Sequence, residues 1–450
     1  MESTRSMQAD TGVDPRELLD AVDAYLVRYG GDFVPELISS ASGSRLYTLD
    51  GRSILDFTSG QMCATLGHNH PAIVAAIEKA CREVIHLFSG MLAPPVVLLA
   101  RELAELLPPA LQKVLLLSTG GESNEAALRL AKLKTGGFEV LGFTSSWHGM
   151  TAGASSSTYS AGHKGYGPAM PGTMVLPAPN CYRCPIRHCQ DRCDMTCLEV
   201  GIGLADSQSV GAYAAVIAEP VLSVGGIVPL PEGYLARLKG VCEERAMLLI
   251  LDEAQTALGR VGANFAFEAE GVVPDVLTLS KTLGDGLPLS ATVTSAAIEE
   301  ECYEKGFLHF TSHVSDPLPA EVGLAMLRVL AEERLAERAR LMGDHLRSAL
   351  LELQARHEPI GDVRGRGLML GVELVKDREG RAPDEELGAR VTRRCLELGL
   401  NMNIVKFKGL GNVFRLAPPL TVIPDEIDEG VSIIDQALTE CRNLSPGVEP

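Results

Sequence analysis

The sequence has little positive charge for its length. Its 450 residues include 40 lysines and arginines against 58 aspartates and glutamates, which gives a formal net charge of −18 and a pI of about 5.1. The phosphates of a nucleic acid or of an anionic membrane would not be attracted to such a chain. The composition therefore argues against both partners, and it leaves room for a local basic pocket that binds a small anion.

Long apolar runs are also missing. No stretch of about 18 uninterrupted apolar residues occurs, so a transmembrane helix is not predicted. The first residues, MESTRSMQADTGVD, are polar and lack the apolar core of a signal peptide. We therefore expect a cytoplasmic protein whose eleven cysteines are mostly reduced.

Helical patterns and short apolar runs alternate from about residue 70 to residue 310. Several of the runs, such as KVLLLST and MLLILDE, are unbroken rather than alternating with polar residues. Unbroken runs are typical of strands in a sheet that helices cover on both faces. We predict an α/β fold with a mainly parallel sheet, and we expect ligands at the carboxyl ends of its strands.

The domain organisation follows from the same patterns. We predict an N-terminal segment (1–65) packed with the small domain, a large domain (66–325), and a smaller α+β C-terminal domain (326–450). The dipeptide Asp50-Gly51 between two apolar runs predicts a β-hairpin. A long helical pattern over 318–356 is predicted to be interrupted at Gly343-Asp344.

Lys281 stands at the end of an apolar run in DVLTLSKTLG. The ordinary interpretation is a surface lysine at a strand end. The alternative is a Schiff-base lysine, because such an amine works best when it is partly desolvated and held on a rigid element. This stretch alone leaves both interpretations open.

A glycine-containing turn precedes a helical pattern in STGGESNEAALRLAKL. The strand KVLLLS runs into Thr119-Gly120-Gly121, and a helix is predicted beyond the glycines. Glycines let backbone N–H groups approach a ligand, and a helix N-terminus favours an anion such as phosphate. An ordinary strand-to-helix turn is the alternative. The Gly-Lys-Ser/Thr ending of a Walker loop is missing here.

Two further residues carry chemistry at strand ends. Asp252 ends MLLILDE, where a buried carboxylate needs a cationic partner, either an arginine or a protonated pyridine nitrogen. Trp147, the single tryptophan, follows the strand-like FEVLGFT and would either stack on a planar ring or fill the core. Together with Lys281 and the glycine turn, they meet the requirements of pyridoxal 5′-phosphate (PLP), with Lys281 as the Schiff-base lysine.

Longer motifs resemble known enzymes. STGGESNEAA, SSWHG, LILDEAQTALGR and LTLSKTLGDGLPLSA resemble the class III (subgroup II) aminotransferases of PLP fold type I. ILDFTSGQM, LGHNHP, TSHVSDPLPA, GDVRGRGLMLGVELVKDR and FRLAPPLTV resemble the 2,2-dialkylglycine decarboxylases within that family. The resemblance runs from about residue 25 to residue 438. It implies a large PLP-binding domain with a seven-stranded, mainly parallel sheet, and a homodimer or a dimer of dimers.

The resemblance also implies the cofactor-binding residues. Lys281 would form the Schiff base and donate a proton, Asp252 would hold the pyridinium, and Trp147 would stack on the ring. The phosphate would be bound by Thr119, Gly120 and Gly121, with the hydroxyl of Ser312 added across a dimer interface. The remaining cofactor residues would be His148, Glu219, Ala254 and Gln255, with Gln255 close to the 3-oxygen of the ring.

Substrate and cation residues come from the same resemblance. Gln61 would hydrogen-bond the carboxylate that is expelled as CO2, and Arg415 would bind the carboxylate in transamination as a bidentate fork. Met150 would line the side-chain pocket, and Val224 stands there where a second serine is expected. A monovalent cation, K+ or Na+, would be bound by oxygens of Leu87, Ser89, Ser312, Val314 and Asp316.

The implied reaction is decarboxylation-dependent transamination. A 2,2-dialkylglycine would give a ketone and CO2, and pyruvate would then become L-alanine. Because the α-carbon of such a substrate carries no proton, the breakable bond is the one to the carboxylate, held perpendicular to the cofactor ring. The alternatives are a plain class III transaminase acting on an ω-amine or amino acid, and a non-catalytic PLP-binding protein.

One cysteine-rich stretch departs from this pattern. NCYRCPIRHCQDRCDMTC has the intervals C-x2-C-x4-C-x3-C-x3-C. Such thiols can bind zinc or an iron–sulfur cluster. The other interpretation is a reduced, surface-exposed loop that is sensitive to redox conditions. The residues concerned are Cys181, Cys184, Cys189, Cys193 and Cys197.

Overall fold

The N-terminal part of the chain forms a helix and a small antiparallel sheet. A computed structural model describes residues 14–30, 33–161, 163, 165–184, 186, 193–404 and 411–442. Two strands flank Asp50-Gly51 and pair antiparallel, so the predicted hairpin is confirmed. The elements are α1 (Pro15–Tyr25), β1 (Ile38–Ser42), β2 (Arg45–Thr48), β3 (Ser53–Asp56) and a short irregular helix α2 (Ser59–Met62).

The next part of the chain alternates strands with helices. Its strands are β4 (Lys113–Leu117), β5 (Glu139–Phe143), β6 (Thr173–Leu176), β7 (Tyr213–Ala218), β8 (Val221–Leu222), β9 (Val228–Pro229), β10 (Leu248–Asp252), β11 (Val276–Leu279) and β12 (Ser290–Thr294). Its α-helices are α3 (Pro71–Glu83), α4 (Pro94–Leu106), α5 (Gly120–Thr135), α6 (Ala152–Ser156), α7 (Thr196–Gln208), α8 (Tyr234–Glu244) and α9 (Ala296–Glu304). Two 3-10 turns cover Ala266–Glu270 and Lys281–Gly284.

Seven of these strands form one sheet in the order β4-β12-β11-β10-β7-β5-β6. Neighbours from β11 to β6 pair in parallel, whereas β12 runs antiparallel to both β11 and β4. The strands β5, β11 and β12 are buried along their whole length, as expected for a sheet that helices cover on both faces. The predicted α/β fold with a mainly parallel sheet is confirmed.

The sheet brings several polar residues to one edge. Asp252 is the last residue of β10, Glu219 follows β7 directly, and Lys281 comes two residues after β11. Because these strands are parallel, their carboxyl ends meet at the same edge, where ligands bind in open α/β sheets. Thr119, two residues after β4, lies at this edge too.

The C-terminal part contains α10 (Pro317–Glu332), α11 (Leu335–Arg356), β13 (Ile360–Arg366), β14 (Met369–Leu374), α12 (Glu385–Glu397), β15 (Leu400–Asn401), β16 (Asn403–Ile404), β17 (Val413–Leu416) and α13 (Pro424–Arg442). Four of its strands form an antiparallel sheet in the order β13-β14-β17-β16. β15 instead pairs in parallel with β3, so the first and last parts of the chain share a sheet. The domain boundaries at 65 and 325 stay predictions. No helix in the described ranges is both long and apolar enough to cross a membrane.

The predicted interruption at Gly343-Asp344 is wrong. Helix α11 runs through both residues, and the break lies between α10 and α11, where Arg334 has a left-handed φ of 51°. A Cβ on Gly343 would lie 2.3 Å from the carbonyl oxygen of Gly367. The glycine therefore serves a close approach of the helix to the chain before β14, and it does not end the helix.

Candidate active site

Lys281 lines a cavity at the carboxyl edge of the large sheet. The cavity has a volume of about 380 Å³, within the range of small-molecule sites. Lys281 begins the 3-10 turn after β11 with a φ of 46°, a left-handed value that lysine rarely adopts. The lining of the cavity includes eight of the residues predicted to bind the cofactor: Thr119, Gly120, Gly121, Trp147, His148, Asp252, Ala254 and Lys281.

The glycine turn is itself the first turn of helix α5. The helix begins at Gly120 with Thr119 as its N-cap, so the predicted start beyond the glycines is wrong by about two residues. A Cβ on Gly149 would lie 2.5 Å from Cα of Gly121, and one on Gly120 would lie 2.9 Å from Oγ of Ser280. The backbone packs too closely here for side chains. First-turn N–H groups without helical partners suit a phosphate.

Asp252 is buried at the wall of the cavity and is held by three donors. His148 Nδ1 donates to its Oδ2 (2.9 Å), as does Asn124 Nδ2 (2.8 Å), and the N–H of Ala254 donates to Oδ1 (3.0 Å). Burial alone would raise the pKa of Asp252, but these hydrogen bonds hold the pKa below its usual value. The carboxylate is therefore kept ionised inside a site that a cationic ring nitrogen would complete.

Asn124 was missed by the sequence reasoning. It lies one turn into α5, buried at 1% exposure, and its Oδ1 accepts from Thr278 on β11 (2.7 Å) while its amide donates to Asp252 and to the carbonyl of His148 (2.7 Å). One side chain thus joins the helix, the strand and the 147–149 segment. The sequence feature that could have indicated Asn124 is a polar residue in the helical turn that follows the glycines.

Glu219 lies behind the cavity rather than in its lining. It is 5% exposed, and its carboxylate accepts from the N–H of Trp147 (2.8 Å) and of Ser223 (3.1 Å). Burial raises the pKa of Glu219 to about 7. It therefore titrates near neutral pH and fixes the backbone that carries the half-buried Trp147.

Arg415 is a buried cation on β17 of the antiparallel sheet. Its exposure is 8%, and its partners are neutral: Asn403 Oδ1 accepts from Nη2 (2.9 Å) and Ser223 Oγ from Nη1 (3.4 Å). Among the described residues, no carboxylate lies within 4.0 Å of its guanidinium, and its Nε has no partner. Burial lowers the pKa of Arg415 to about 10, and the charge of Glu219 opposes this. A buried guanidinium without an anion is costly unless a ligand supplies one.

Ser223 links Arg415 to the cofactor side of the site. Its hydroxyl donates to Oε1 of the half-buried Gln255 (2.6 Å) while accepting from Arg415. The neighbouring Val224 is 7% exposed, in the same turn. Two other predicted residues face outwards in the single chain: Met150 is 61% exposed, and Ser312 is also exposed.

Gln61 lies in a strained segment beside Lys281. Ser59, Gly60 and Met62 all have left-handed φ values, between 47° and 63°. The buried Asp56 holds this backbone, because its carboxylate accepts from Gly60 N–H (2.8 Å). Strained backbone of this kind clusters at functional sites.

Cys63 connects that segment to the cavity. It lines the cavity with Lys281, and burial raises the pKa of its thiol while the Lys281 charge opposes the shift. Its Sγ–H donates to the carbonyl of Gln61 (3.4 Å). Gln61 is exposed and is joined to the cavity-lining Cys63 through that hydrogen bond, but it lies outside the lining itself.

The segments of the predicted cation site lie side by side. The N–H of Leu318 donates to the carbonyl of Ile85 (3.4 Å), and both oxygens of Asp316 accept from imidazoles, His86 Nδ1 (2.5 Å) and His313 Nδ1 (2.6 Å). The two histidines were not predicted. The structure thus brings near each other the loops that carry Leu87 and Ser89 on one side and Ser312, Val314 and Asp316 on the other.

Known proteins share this sequence and fold. The pattern of the Aminotransferase class-III family matches residues 28–438. The chain belongs to the class III aminotransferases. An uncharacterised aminotransferase of Schizosaccharomyces pombe is 51% identical over 428 residues, covering 95% of this chain and 96% of that protein. The leucine/methionine racemase of Thermococcus litoralis is 34% identical, covering 93% of this chain and 94% of that protein.

The fold comparison agrees with the family assignment. An aminotransferase of Bacillus anthracis superposes with a TM-score of 0.90 at 28% identity, covering 97% of this chain and all of that structure. Class III aminotransferases use PLP, and three observations fit that group here: the ionised Asp252, the bare first turn of α5, and the buried Nε2 of His148, which has no partner among the described residues. The predicted cofactor is therefore compatible with the residues of this aminotransferase.

Proposed function

We propose that this class III aminotransferase catalyses decarboxylation-dependent transamination of 2,2-dialkylglycines such as 2-aminoisobutyrate, with pyruvate accepting the amino group as L-alanine. The observation that carries the proposal is a pair of polar groups whose chemistry suits a substrate carboxylate, a buried guanidinium and a side-chain amide. Arg415 is a buried cation without a carboxylate partner among the described residues, and Gln61 is an amide on a strained segment beside Lys281. Arg415 would hold the carboxylate that the substrate keeps in transamination, and Gln61 would orient the carboxylate that leaves as CO2.

The chain's own residues divide the work. PLP, when bound, supplies a cationic ring that takes up the electron pair of the broken bond. Asp252 would keep the ring-nitrogen proton in place, and Trp147 would pack against the ring. The Nζ of Lys281 would bind the cofactor and would be the group that delivers a proton to the substrate carbon. The first turn of α5, at Thr119–Gly121, would hold the phosphate.

Gln61 is proposed to select the bond that breaks. Its amide would donate to a substrate carboxylate whose bond to the α-carbon lies perpendicular to the ring plane, the orientation in which that bond is weakened. A transaminating amino acid would instead place its carboxylate on Arg415, where a two-pronged, charge-assisted hydrogen bond is available. Gln61 would thus act in the decarboxylating half-reaction and Arg415 in the transaminating one.

A monovalent cation and a dimer complete the proposal. Asp316 would exchange its two imidazole donors for K+ or Na+, with oxygens from the 87–89 and 312–314 loops. Exposed apolar side chains on nearby loops support a dimer interface: Phe88 (67%), Met91 (61%), Leu92 (76%), Met150 (61%) and Phe310 (65%). Light scattering would give the assembly, and exchanging K+ for Na+ would test the cation through kcat.

The decisive experiment is a product assay. PLP- and potassium-loaded enzyme is incubated with 2-aminoisobutyrate and pyruvate, and CO2, acetone and alanine are quantified, with Lys281→Ala as the blank. Equal yields of all three products are expected. Alanine formed without CO2, from ordinary amino acids only, would contradict the decarboxylase activity while leaving the aminotransferase intact.

A plain transaminase acting on an amino acid or ω-amine is the second candidate. The names of the relatives favour it, since one at 32% identity is the 5-aminovalerate aminotransferase of Pseudomonas aeruginosa. Lys281, Asp252 and Arg415 would serve that reaction unchanged. In the product assay, 5-aminovalerate converting the cofactor while 2-aminoisobutyrate does not would select this candidate.

A further inference from the structure

Four cysteine side chains lie together away from the cavity. The side chains of Cys181 and Cys193 are hydrogen-bonded to each other, and Cys184 and Cys197 are close enough to Cys181 to interact with it electrostatically. Cys193 and Cys184 are also close enough to Cys197 to interact with it. The four thiols therefore share one environment and are not four separate surface positions. The fifth cysteine of the stretch, Cys189, lies outside the described residues.

Cys181 and Cys184 lie in a tight turn in which a backbone N–H group donates to the sulfur of Cys184. The N–H of Ile186 donates to Sγ of Cys184 (3.3 Å), two residues earlier, and the thiol donates to the Ile186 carbonyl (2.9 Å). Asn180 closes the other side, since its Oδ1 accepts from the N–H of Arg183 (3.1 Å). Hydrogen bonds to sulfur of this kind stabilise thiolates that bind metals.

The second pair lies at the start of a helix. Cys197 is the second residue of α7 and is 2% exposed, and Cys193 precedes the helix by three residues. The positive end of a helix dipole favours a thiolate. A turn and a helix start therefore contribute two sulfurs each.

We propose that Cys181, Cys184, Cys193 and Cys197 form a structural zinc site. The spacings, C-x2-C and C-x3-C, match those of structural zinc sites, and four thiolates fill a tetrahedral shell without an open position for substrate. Among the described residues, no three of these sulfurs lie within 4.8 Å of one another. Side-chain rotation must therefore bring them to the roughly 3.8 Å separation that Zn–S bonds of about 2.3 Å require.

The site would join the two parts of the enzyme close to Arg415. In the C-x2-C turn, Arg183 pairs with Glu373 on β14, and the Tyr182 carbonyl accepts from Arg381 Nη1 (2.7 Å), whose guanidinium also lies 4.8 Å from the Tyr182 ring. β14 pairs directly with β17, which carries Arg415. Zinc would thus stabilise a contact between the PLP-binding sheet and the strand that presents the carboxylate-binding arginine.

Metal analysis of the full-length holoenzyme tests the site. Elemental analysis of protein purified without added zinc is expected to find about one zinc per chain, as a closed tetrathiolate site holds one ion. Cys184→Ser and Cys197→Ser should each lose zinc and unfold at a lower temperature, while PLP absorbance reports that the protein is folded. Matched controls are Cys81→Ser, an exposed thiol on α3, and Cys242→Ser, a buried thiol on α8, both of which should keep the ion.

Cobalt loading adds a measurement that does not depend on every variant folding. Tetrahedral sulfur coordination should give intense thiolate-to-cobalt bands, and these should be absent from Cys184→Ser. The proposal is overturned if the protein contains no zinc, if it contains iron with sulfide instead, or if Cys184→Ser retains the ion. Zinc lost only from His313→Gln would move the ion to His86, His313 and Asp316, whose ligand atoms lie within 4.8 Å of one another, and would overturn the proposal as well.

Discussion

His148 Nδ1 donates to Oδ2 of Asp252 across 2.9 Å, and the opposite ring nitrogen, Nε2, is buried without a partner in the part of the chain that the structure describes. His148 thus holds the Asp252 carboxylate through one of its two ring nitrogens. Because Asp252 stays ionised despite its burial, the negative charge is available to a ligand in the cavity. The His148–Asp252 pair would therefore offer a negative charge to the protonated nitrogen of a heteroaromatic ring.

Replacing the carboxylate should remove most of the activity. Asp252→Asn keeps the shape of the side chain but cannot hold a ring-nitrogen proton, and we expect kcat to fall by about 100- to 1000-fold, the usual effect of losing one preorganised charge. The measurement is single-turnover conversion of the cofactor absorbance. Asp206→Asn, which removes a surface pair with Arg245, should leave that rate unchanged.

Removal of the buried guanidinium should affect carboxylate substrates selectively. Arg415→Gln is expected to raise KM for pyruvate and L-alanine roughly 100-fold, which corresponds to about 3 kcal/mol of charge-assisted binding. An amine without a carboxylate should react as before. Arg101→Gln, at an exposed pair with Glu105, is the matched control. Equal losses for both substrate classes would contradict the assigned role.

Carboxylate binding should weaken as pH rises through about 7, the raised pKa of Glu219. Below that pH the folded protein holds Glu219 neutral, and above it an ionised carboxylate competes with the substrate for the Arg415 charge. KM for pyruvate measured from pH 6 to 8.5 should therefore rise. Glu219→Gln should flatten the profile, whereas the surface change Glu199→Gln should not.

The same titration predicts a stability trend. The pKa of Glu219 is about 7 in the folded protein, against an ordinary value of 4.5 for glutamate. Between these values the folded state binds more protons than the unfolded state, so stability is lost as pH rises through this window. Denaturant unfolding of the wild type and Glu219→Gln should show a smaller loss in the variant.

Two glycines should respond oppositely to alanine. Gly149 has a φ of 123°, and a Cβ there would meet Cα of Gly121 at 2.5 Å, so Gly149→Ala should cost more than about 2 kcal/mol and weaken PLP binding. Gly203 lies inside α7 with no atom within 4 Å of an added Cβ. Gly203→Ala should stabilise by roughly 0.5–1 kcal/mol. Urea unfolding measures both.

Partitioning between the two reactions should depend on Gln61. Gln61→Ala is expected to lower the yield of CO2 from 2-aminoisobutyrate by at least about tenfold, the cost of one lost hydrogen bond to a charge. Transamination between L-alanine and a keto acid should continue at close to the original rate. Gln208→Ala, at the exposed end of α7, is the control. An unchanged CO2 yield would remove Gln61 from the proposal.

Local sequence explains why Asp252, Lys281 and the Thr119–Gly121 turn could be predicted. Each follows a mainly apolar run, and such runs form the strands whose carboxyl ends meet at one edge of the sheet. The wrongly predicted helix break at Gly343 shows where local sequence is not sufficient. Its contact with Gly367 lies in a different element, so the sequence offered no sign that the glycine served packing rather than termination.

Residue order and hydrophobic pattern by themselves determined the α/β fold, the strand-end lysine and aspartate, and the helix that suits a phosphate, since these depend on neighbours within about one strand and one turn. Tertiary structure alone decided that Ser223 and Arg415, 192 residues apart, share a hydrogen bond, and that Asn124 holds Asp252. Burial is a property of the packed chain. It left Arg415 without a carboxylate among the described residues and raised the pKa of Glu219 to about 7, because both side chains lose water only when the sheets meet.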